Sequence, residues 1–166
     1  MLHKVFSLMD RIVKFDEVKA HCDIPCKVYD PGTAQVAALS VVRMMDIMLE
    51  TSEKENINPQ QTQNTISRCI ALKELEAAKV KDEVRIIWGD YIKQAQIEQH
   101  PNVHDVVHQI MMKASACKQG VDRKVGEELV ELVNRFAEIF WDTKNIKTVR
   151  KKAPYPPEIA IIYPVL

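Results

Sequence analysis

The sequence has little glycine and no excess of charge of either sign. It contains only four glycines, and none of them belongs to a loop that could cradle phosphate. Lysine and arginine together number 23, as do aspartate and glutamate, so no broad basic surface favours nucleic acid. No serine stands in the glycine-flanked setting of a hydrolase nucleophile. Nucleotide binding, nucleic-acid binding and serine hydrolysis are therefore disfavoured.

Long hydrophobic runs are absent too. No stretch approaches the roughly 18 apolar residues of a membrane-spanning helix, so no membrane partner is expected. Charged residues interrupt the segment 1–20 every few positions, which argues against an export signal. Four cysteines without such a signal favour reduced thiols over disulfides. We expect a cytoplasmic protein, and 166 residues suffice for one domain with a single core.

Apolar residues recur at helical spacing in four parts of the sequence. The spacing predicts a first helix over about 34–50, a second over 65–91, a third opened by His100 and Pro101 and ended by Gly120, and a fourth capped by Asp122. Lys73 is a polar exception in the second stripe, and the polar residues 52–64 are predicted to form a loop. Four helices without a strand pattern before residue 145 predict an all-α fold, an antiparallel four-helix bundle.

The last part of the chain, residues 145–166, differs from the rest. It begins with basic residues and contains four prolines, which exclude a long helix. The apolar run 159–163 can at most form an edge strand before Pro164. We therefore expect this tail to be extended or disordered.

The densest group of metal-binding side chains lies at residues 21–31. This segment reads His21-Cys22-Asp23-Ile24-Pro25-Cys26-Lys27-Val28-Tyr29-Asp30-Pro31 and brings together an imidazole, two thiols, carboxylates and a phenol. The proline between the cysteines lacks an amide donor and disfavours helix for the residue before it, so the cysteines cannot share one helical face. The segment is predicted to be a hook or turn.

A cut before His21 would turn this hook into a chelating site. The new α-amine, the amide nitrogen of Cys22 and the Cys22 sulfur would form two fused five-membered rings, and the Cys26 sulfur could complete a square. Planar nitrogen and sulfur ligands suit Ni(II) or Cu(II), whereas zinc prefers a tetrahedron. Without the cut, the histidine nitrogen is a peptide amide and is lost as an amine ligand.

The pattern H-C-D-x-P-C-x-x-Y-D-P resembles the nickel hook of the nickel superoxide dismutases. Three further segments are similar to segments of that family and follow in the same order: Trp88-Gly89-Asp90-Tyr91-Ile92-Lys93, Ser115-Ala116-Cys117-Lys118 and Ile139-Phe140-Trp141-Asp142-Thr143-Lys144. The resemblance covers residues 21–144. It implies a leader at 1–20 that a processing protease removes, a hook at 21–31 and a helical bundle at 34–144.

The resemblance also implies an activity and a ligand set. The enzyme would disproportionate superoxide to oxygen and hydrogen peroxide by cycling one nickel ion per subunit between Ni(II) and Ni(III). The ligands would be the His21 amine, the Cys22 amide nitrogen and the Cys22 and Cys26 thiolates, with the His21 imidazole added on oxidation. Thiolate and amide donors stabilise the oxidised ion. Tyr29 and Asp23, near these ligands in sequence, are the candidates to order water and relay protons.

Two positions depart from the family pattern. Where the family has a glutamate and an arginine that steer the axial imidazole, this sequence has Ala37 and Glu76. We hypothesise that Glu76 accepts the imidazole N–H instead, because metal-bound histidine usually needs such a partner; an ordinary exposed helical glutamate is the alternative. Lys118 matches a family position near the site entrance and is a candidate to attract superoxide.

Other candidate groups have simpler interpretations. His104 and His108 are four residues apart and could grip zinc from one helical face, but the glutamate of H-E-x-x-H is missing. Solvated surface histidines are the favoured interpretation of this pair. Cys117 lies on an apolar stripe and Cys69 lies beside one, so both are expected to be packed thiols.

The resemblance implies a homohexamer, and the first helix is apolar on more than one side, as packing between subunits requires. Two alternatives to the enzyme stay open at this point. One is a non-catalytic nickel or copper binding protein whose hook traffics metal. The other is a helical interaction module with incidental thiols.

Overall fold

The computed structural model describes residues 28–54 and 58–166. Its helices are α1 (Gly32–Glu53), α2 (Pro59–Ile86), α3 (Gln94–Gln99), α4 (Val103–Gln119) and α5 (Arg123–Asp142), with a π-helical turn at Ile87–Tyr91. Two strands follow, β1 (Thr148–Lys152) and β2 (Ala160–Pro164). The all-α bundle predicted from the sequence is confirmed, and a small β-hairpin is added to it.

The long helices α1, α2, α4 and α5 form the bundle. α1 packs against α2 and α5, and α4 packs against the same two helices. Arg123 at the start of α5 donates a hydrogen bond to Asp46 in the second half of α1 at 2.7 Å, as an antiparallel pair requires. The buried faces meet in one core, which includes Val41, Met45, Val80, Val84, Val106, Ile110, Leu129, Val133, Phe136 and Phe140.

Helix α1 is, by length and composition alone, long and apolar enough to cross a membrane. However, 50% of its apolar window is buried inside the bundle. The core helix of a bundle has the same composition, so a single helix of this kind is weak support for a membrane span.

Capping residues set several helix ends. The Asp122 carboxylate accepts a hydrogen bond from a backbone N–H of the first turn at 2.9 Å, which confirms Asp122 as the cap of α5. Gly120 ends α4, as predicted. The predicted loop at 52–64 is wrong in its second half, because the Asn58 side chain caps α2 and Pro59 is the first residue of that helix. Most side chains of this first turn are exposed, so they leave no apolar stripe in the sequence.

Lys73 is a polar residue in the core because it caps another helix. Its ammonium donates to the backbone carbonyls of Cys117, Lys118 and Gly120 at the end of α4, the last two at 2.9 Å and 2.8 Å. A cation at this end of a helix satisfies carbonyls that have no partner within the helix, and it interacts favourably with the negative end of the helix dipole. Burial lowers the pKa of this ammonium from its usual 10.5, an effect that Glu74 opposes.

Between α2 and α4 the chain is less regular than the sequence predicts. The second helical pattern ends at Ile86 and passes into the π-helical turn, which the short helix α3 follows. α4 then begins at Val103, slightly later than predicted from His100 and Pro101. α3 has no fully buried side chain, and only Ile97 packs partly against the core, so hydrophobic periodicity gives no sign of this helix.

The tail forms an antiparallel β-hairpin that packs on α5. The register pairs Thr148 with Pro164, Arg150 with Ile162, and Lys152 with Ala160. Ile161 and Ile162 of β2 are buried and join the hydrophobic core of the bundle. Only β2 overlaps the run for which the sequence predicts an edge strand, so β1 is a finding of the structure.

Candidate functional site

The described residues include three of the predicted site residues: Tyr29, Glu76 and Lys118. The other four, His21, Cys22, Asp23 and Cys26, lie outside the described residues. The structure therefore describes the site from the point where the hook joins the bundle. There, residues 28–31 lead directly into α1.

Tyr29 lies in a cluster of aromatic rings near the C-terminal ends of α2 and α5. Its ring centroid is 5.8 Å from that of Tyr91, which in turn is 5.1 Å from that of Phe140. Phe140 is fully buried, whereas Tyr29 and Tyr91 are half-buried. Tilted rings at these distances attract each other beyond simple burial, so the cluster holds Tyr29, near the end of the predicted hook, against the bundle.

Polar contacts complete this cluster. Thr143 Oγ1 donates to the Phe140 carbonyl at 2.6 Å, so it accepts from the Tyr91 hydroxyl, which is 2.8 Å away. The ammonium of Lys144 lies 4.8 Å from the ring centroid of Tyr91 and 5.1 Å from that of Phe140. A positive charge therefore lies at the same end of the bundle as Tyr29. We refer to Tyr29, Tyr91, Phe140 and Lys144 as the aromatic anchor.

The start of α1 is held by a second set of contacts. The Asp30 carboxylate accepts a hydrogen bond from the backbone N–H of Gly32 at 2.7 Å, and the Gln35 N–H donates to the Pro31 carbonyl at 3.0 Å. The Gln35 side chain is buried, and its Nε2 donates to Asn134 Oδ1 on α5 at 3.0 Å. The chain that leaves the hook is thus held first by aromatic rings and then by polar groups.

Lys118 lies at the opposite end of α4 from the aromatic anchor. Trp88, in the same π-helical turn as Tyr91, donates its indole N–H to His104 in the first turn of α4 at 2.9 Å. Lys118 is in the last turn, and the 17 residues of α4 span about 25 Å. The Lys118 ammonium lies 3.3 Å from a carboxylate oxygen of Glu74 on α2. Within one chain, its charge is therefore distant from Tyr29 and partly balanced.

Glu76 is distant as well. It lies half-buried on α2, about 15 Å of helix before Ile86, where α2 ends. Its role as partner of the His21 imidazole stays a prediction, because that histidine lies outside the described residues.

The remaining candidate groups fit their simpler interpretations. His104 and His108 are both exposed. Cys69 and Cys117 are buried free thiols, which confirms them as packing residues, and burial raises the pKa of Cys117 to about 11. Within 28–54 and 58–166, no group of three or more His, Cys, Asp or Glu side chains could hold a metal ion.

Several residues at this end of the bundle received no role from the sequence. Tyr91, Thr143 and Lys144 belong to the family-like segments 88–93 and 139–144, so the resemblance located them without saying what they contact. The burial of Gln35 and Asn134 could not be read from the sequence, because glutamine and asparagine are mostly exposed residue types.

Comparisons with known proteins agree on one family. The sequence profile of the family described as nickel-containing superoxide dismutase matches residues 16–144. The superoxide dismutase (Ni) of Streptomyces coelicolor is 33% identical over 128 residues, which cover 77% of this chain and 91% of that protein. That of Streptomyces seoulensis is 31% identical over 129 residues, which cover 78% of this chain and 92% of that protein.

Solved structures of the family share the fold. A native nickel superoxide dismutase has a TM-score of 0.65 and 32% identity, over 75% of this chain and 99% of that one. A nickel-containing superoxide dismutase with nickel ligation corresponding to the oxidised state has a TM-score of 0.67 and 30% identity, with the same coverage. By sequence profile, by relatives and by fold, the chain belongs to the nickel-containing superoxide dismutases, whose cofactor is nickel and whose substrate is superoxide.

Proposed function

We propose that this superoxide dismutase binds one nickel ion per chain in its hook. The ligands are the His21 amine, the Cys22 amide nitrogen and the thiolates of Cys22 and Cys26, with the His21 imidazole as a further ligand on oxidation. Two nitrogen and two thiolate donors suit planar Ni(II), and the part of the chain that the structure describes offers no competing group of metal-binding side chains. When bound, nickel supplies the one-electron couple that converts two superoxide ions into oxygen and hydrogen peroxide.

One observation carries the proposal. Tyr29, which follows Cys26 closely in sequence, packs on Tyr91 at one end of the bundle. This end is a firm platform, since Phe140 is fully buried and Thr143 accepts a hydrogen bond from Tyr91. A site attached to such a platform is supported by residues whose own positions are fixed by packing.

The protein residues supply protons and charge. Each hydrogen peroxide that forms takes up two protons, and we assign their delivery to water ordered by Tyr29 and Asp23. The Lys144 ammonium beside Tyr91 adds a positive charge at this end of the chain, which favours the approach of the superoxide anion.

The His21 amine exists only if residues 1–20 are removed, so we propose that a processing protease cuts this leader. Mass spectrometry of the purified native protein, combined with metal analysis, tests this directly. The expected mass is that of a chain starting at His21 with one nickel ion. A mature chain that starts elsewhere and still shows full activity would contradict the ligand set.

Replacement of the hook thiols gives a second test. Cys22→Ser and Cys26→Ser are each expected to lose nickel and superoxide turnover, because a hydroxyl does not replace a thiolate as a nickel ligand. Cys69→Ala is the matched control, since Cys69 is a buried free thiol on α2, and this variant should keep both. Full turnover in either hook variant would overturn the proposal. Nickel binding without turnover in the unmodified chain would favour a metal carrier, an alternative that the relatives do not support.

Glu76 is proposed to accept a hydrogen bond from the His21 imidazole. In Glu76→Gln the carboxylate is lost at nearly constant shape, so turnover should fall and the EPR spectrum of the oxidised enzyme should change. Normal turnover with an unchanged spectrum would make Glu76 an ordinary helical residue.

We also propose a homohexamer, as the family resemblance implies. Lys118 lies in the last turn of α4, which is about 25 Å long and has its first turn at the end of the bundle that carries the aromatic anchor, so we assign the role of Lys118 in attracting superoxide to the hook of a neighbouring subunit. An apolar groove of about 570 Å³ between α1 and α2, whose lining includes Met44, Ile47, Leu72 and Leu75, offers surface for such packing. Light scattering of the mature protein should give a hexamer, and Leu75→Glu should dissociate it. A monomer at micromolar concentration would contradict this assembly.

We place the enzyme in the cytoplasm, without nucleic acid or membrane as partners. The buried free thiols Cys69 and Cys117 suit a reducing compartment, and the zero formal net charge gives no broad attraction to polyanions. Cell fractionation with an antibody to the mature chain tests this location. Recovery in the membrane or exported fraction would contradict it.

A further inference from the structure

We infer that the C-terminal β-hairpin is a brace that holds the first turn of α1, and with it the attachment point of the hook. The link to nickel rests on the proposed function of the hook. The hairpin lies beyond residues 16–144, the part that the family profile matches, so the shared fold of the family does not account for it.

Asn134 is the centre of a polar network that joins α1, α5 and β2. Its Oδ1 accepts from Gln35 Nε2 at 3.0 Å and from the backbone N–H of Ile162 at 3.3 Å, and its Nδ2 donates to the Ala160 carbonyl at 2.9 Å. Gln35 Nε2 also donates to the Ile162 carbonyl at 3.1 Å. The two amide side chains therefore attach the backbone of β2 to both helices.

Burial makes this network sensitive to displacement. Gln35 is 3% exposed and Asn134 is 1% exposed, so their amide groups cannot turn to water when a partner is lost. Every buried side-chain nitrogen and oxygen among the described residues has a hydrogen-bond partner. A fully satisfied buried network favours a single arrangement of the groups it joins.

The other strand is attached to α5 as well. Arg150 of β1 forms a bidentate ion pair with Glu131 of α5, one of its two bonds being 3.0 Å long. Ile161 and Ile162 of β2 are buried against the core. Both strands are thus fixed to α5, which makes the hairpin a firm support for Gln35.

Gln35 connects this support to the end of the hook. Its backbone N–H donates to the Pro31 carbonyl, and the side chain of the preceding residue, Asp30, accepts from the Gly32 N–H. A shift of Gln35 therefore moves the residues that lead out of the hook. Gln35 and Asn134 are positioning residues, which act through the first turn of α1.

The test uses the mature chain, which starts at His21 and keeps the C-terminal hairpin. It compares the variants Gln35→Met and Asn134→Leu and the double variant with the unmodified protein. Gln35→Met keeps the volume and the helix preference of the side chain and removes only its polar groups, so it should fold even where Asn134→Leu does not. Ile110→Val, which shortens a fully buried side chain of α4, is the control for a general loss of stability. Three properties are measured. They are the amide hydrogen exchange of residues 33–38 in the metal-free protein, the nickel affinity by chelator competition, and the EPR spectrum of the oxidised enzyme.

We expect Gln35→Met to exchange amides in 33–38 about tenfold faster and to bind nickel about tenfold more weakly, since a buried polar contact of this kind is lost. Its EPR spectrum should shift, whereas Ile110→Val should leave affinity and spectrum unchanged. The loss of nickel-binding free energy in the double variant should be smaller than the sum of the losses in the two single variants, because Gln35 and Asn134 share a hydrogen bond.

Unchanged exchange in Gln35→Met would overturn the brace. Faster exchange with unchanged nickel affinity and spectrum would overturn its connection to the hook. If the unmodified chain bound no nickel at the hook, the proposed ligand set would fail on its own, and the exchange data would still decide for or against the brace.

Discussion

The chain leaving the hook is held at two places that differ in chemistry. At Tyr29 the contact is between aromatic rings supported by Phe140, and at Gln35 it is a network of buried amides centred on Asn134. Ring contacts tolerate small sliding, whereas hydrogen bonds weaken steeply with distance and angle. The aromatic anchor lies within the family's matched span, while the polar network needs β2, outside it. If the proposed brace holds, the shared fold attaches the end of the hook at Tyr29, and the hairpin restricts the position of the first turn of α1.

Removal of the Phe140 ring beneath Tyr91 should have the largest effect on stability. Phe140 is fully buried beneath Tyr91, so Phe140→Ala is expected to lower the free energy of unfolding by about 3–5 kcal/mol. Urea unfolding of the metal-free protein measures this loss. Phe136→Ala, another fully buried phenylalanine of α5, is the matched control and should cost as much stability but less nickel affinity. Equal nickel affinity in both variants, measured where both are folded, would contradict a role for the aromatic anchor.

A buried lysine that touches neither contact site tests whether nickel affinity depends on these two sites or on stability in general. Lys73 is 2% exposed and donates to three carbonyls at the end of α4, so Lys73→Met should cost about 2–3 kcal/mol in the same unfolding measurement. Because Lys73 contacts neither the aromatic anchor nor the Gln35 network, nickel affinity should not change. Lys73 does hold the backbone of Lys118, so nickel affinity, and not superoxide turnover, is the measurement. If nickel affinity fell as far as in Gln35→Met, any loss of stability would lower nickel affinity. The aromatic anchor and the Gln35 network would then have no specific role in positioning the hook.

The hydroxyl of Tyr91 offers a finer test of the aromatic anchor. Tyr91→Phe keeps the ring contacts to Tyr29 and Phe140 and loses only the bond to Thr143, so we expect a stability loss of about 1 kcal/mol and little change in nickel affinity. A double-mutant cycle with Thr143→Val isolates this bond. A tenfold loss of nickel affinity in Tyr91→Phe would show that the hydroxyl, and not the ring, positions the hook.

The sequence predicted the bundle because each long helix buries one apolar stripe, and it located the hook because metal-binding residue types are dense there. It missed α3, which has no fully buried side chain, and the first turn of α2, whose side chains are mostly exposed. Both elements lack the periodicity on which such predictions depend. Their helix ends are set by local caps instead, such as the Asn58 side chain before Pro59.

The polar network could not be predicted, because its order comes from contacts between distant parts of the chain. Gln35 and Asn134 are 99 positions apart, and nothing in either segment indicates the other. The prolines of the tail argued against regular structure, and β1 has mostly basic, exposed residues in its second half. The hairpin exists because β2 has buried isoleucines and its backbone finds partners in Asn134.

The smallest expected effect is that of acid on the hairpin. Hydrogen bonds from Arg150 lower the pKa of Glu131 below its usual 4.5, against the opposing effect of burial. Because the folded-state pKa is lowered, this carboxylate stabilises the folded protein above pH 4.5, and the contribution is lost as the pH falls through the folded-state value.

Both side chains of this pair are about half exposed, so the contribution should not exceed about 1 kcal/mol. Between about pH 6 and about pH 3, Glu131→Gln should therefore lose slightly less stability in urea unfolding than the unmodified protein. Equal acid sensitivity would mean that the ion pair contributes nothing measurable. The attachment of β1 to α5 would then depend on its pairing with β2, and the brace would depend on the Gln35 and Asn134 network and on the buried isoleucines of β2.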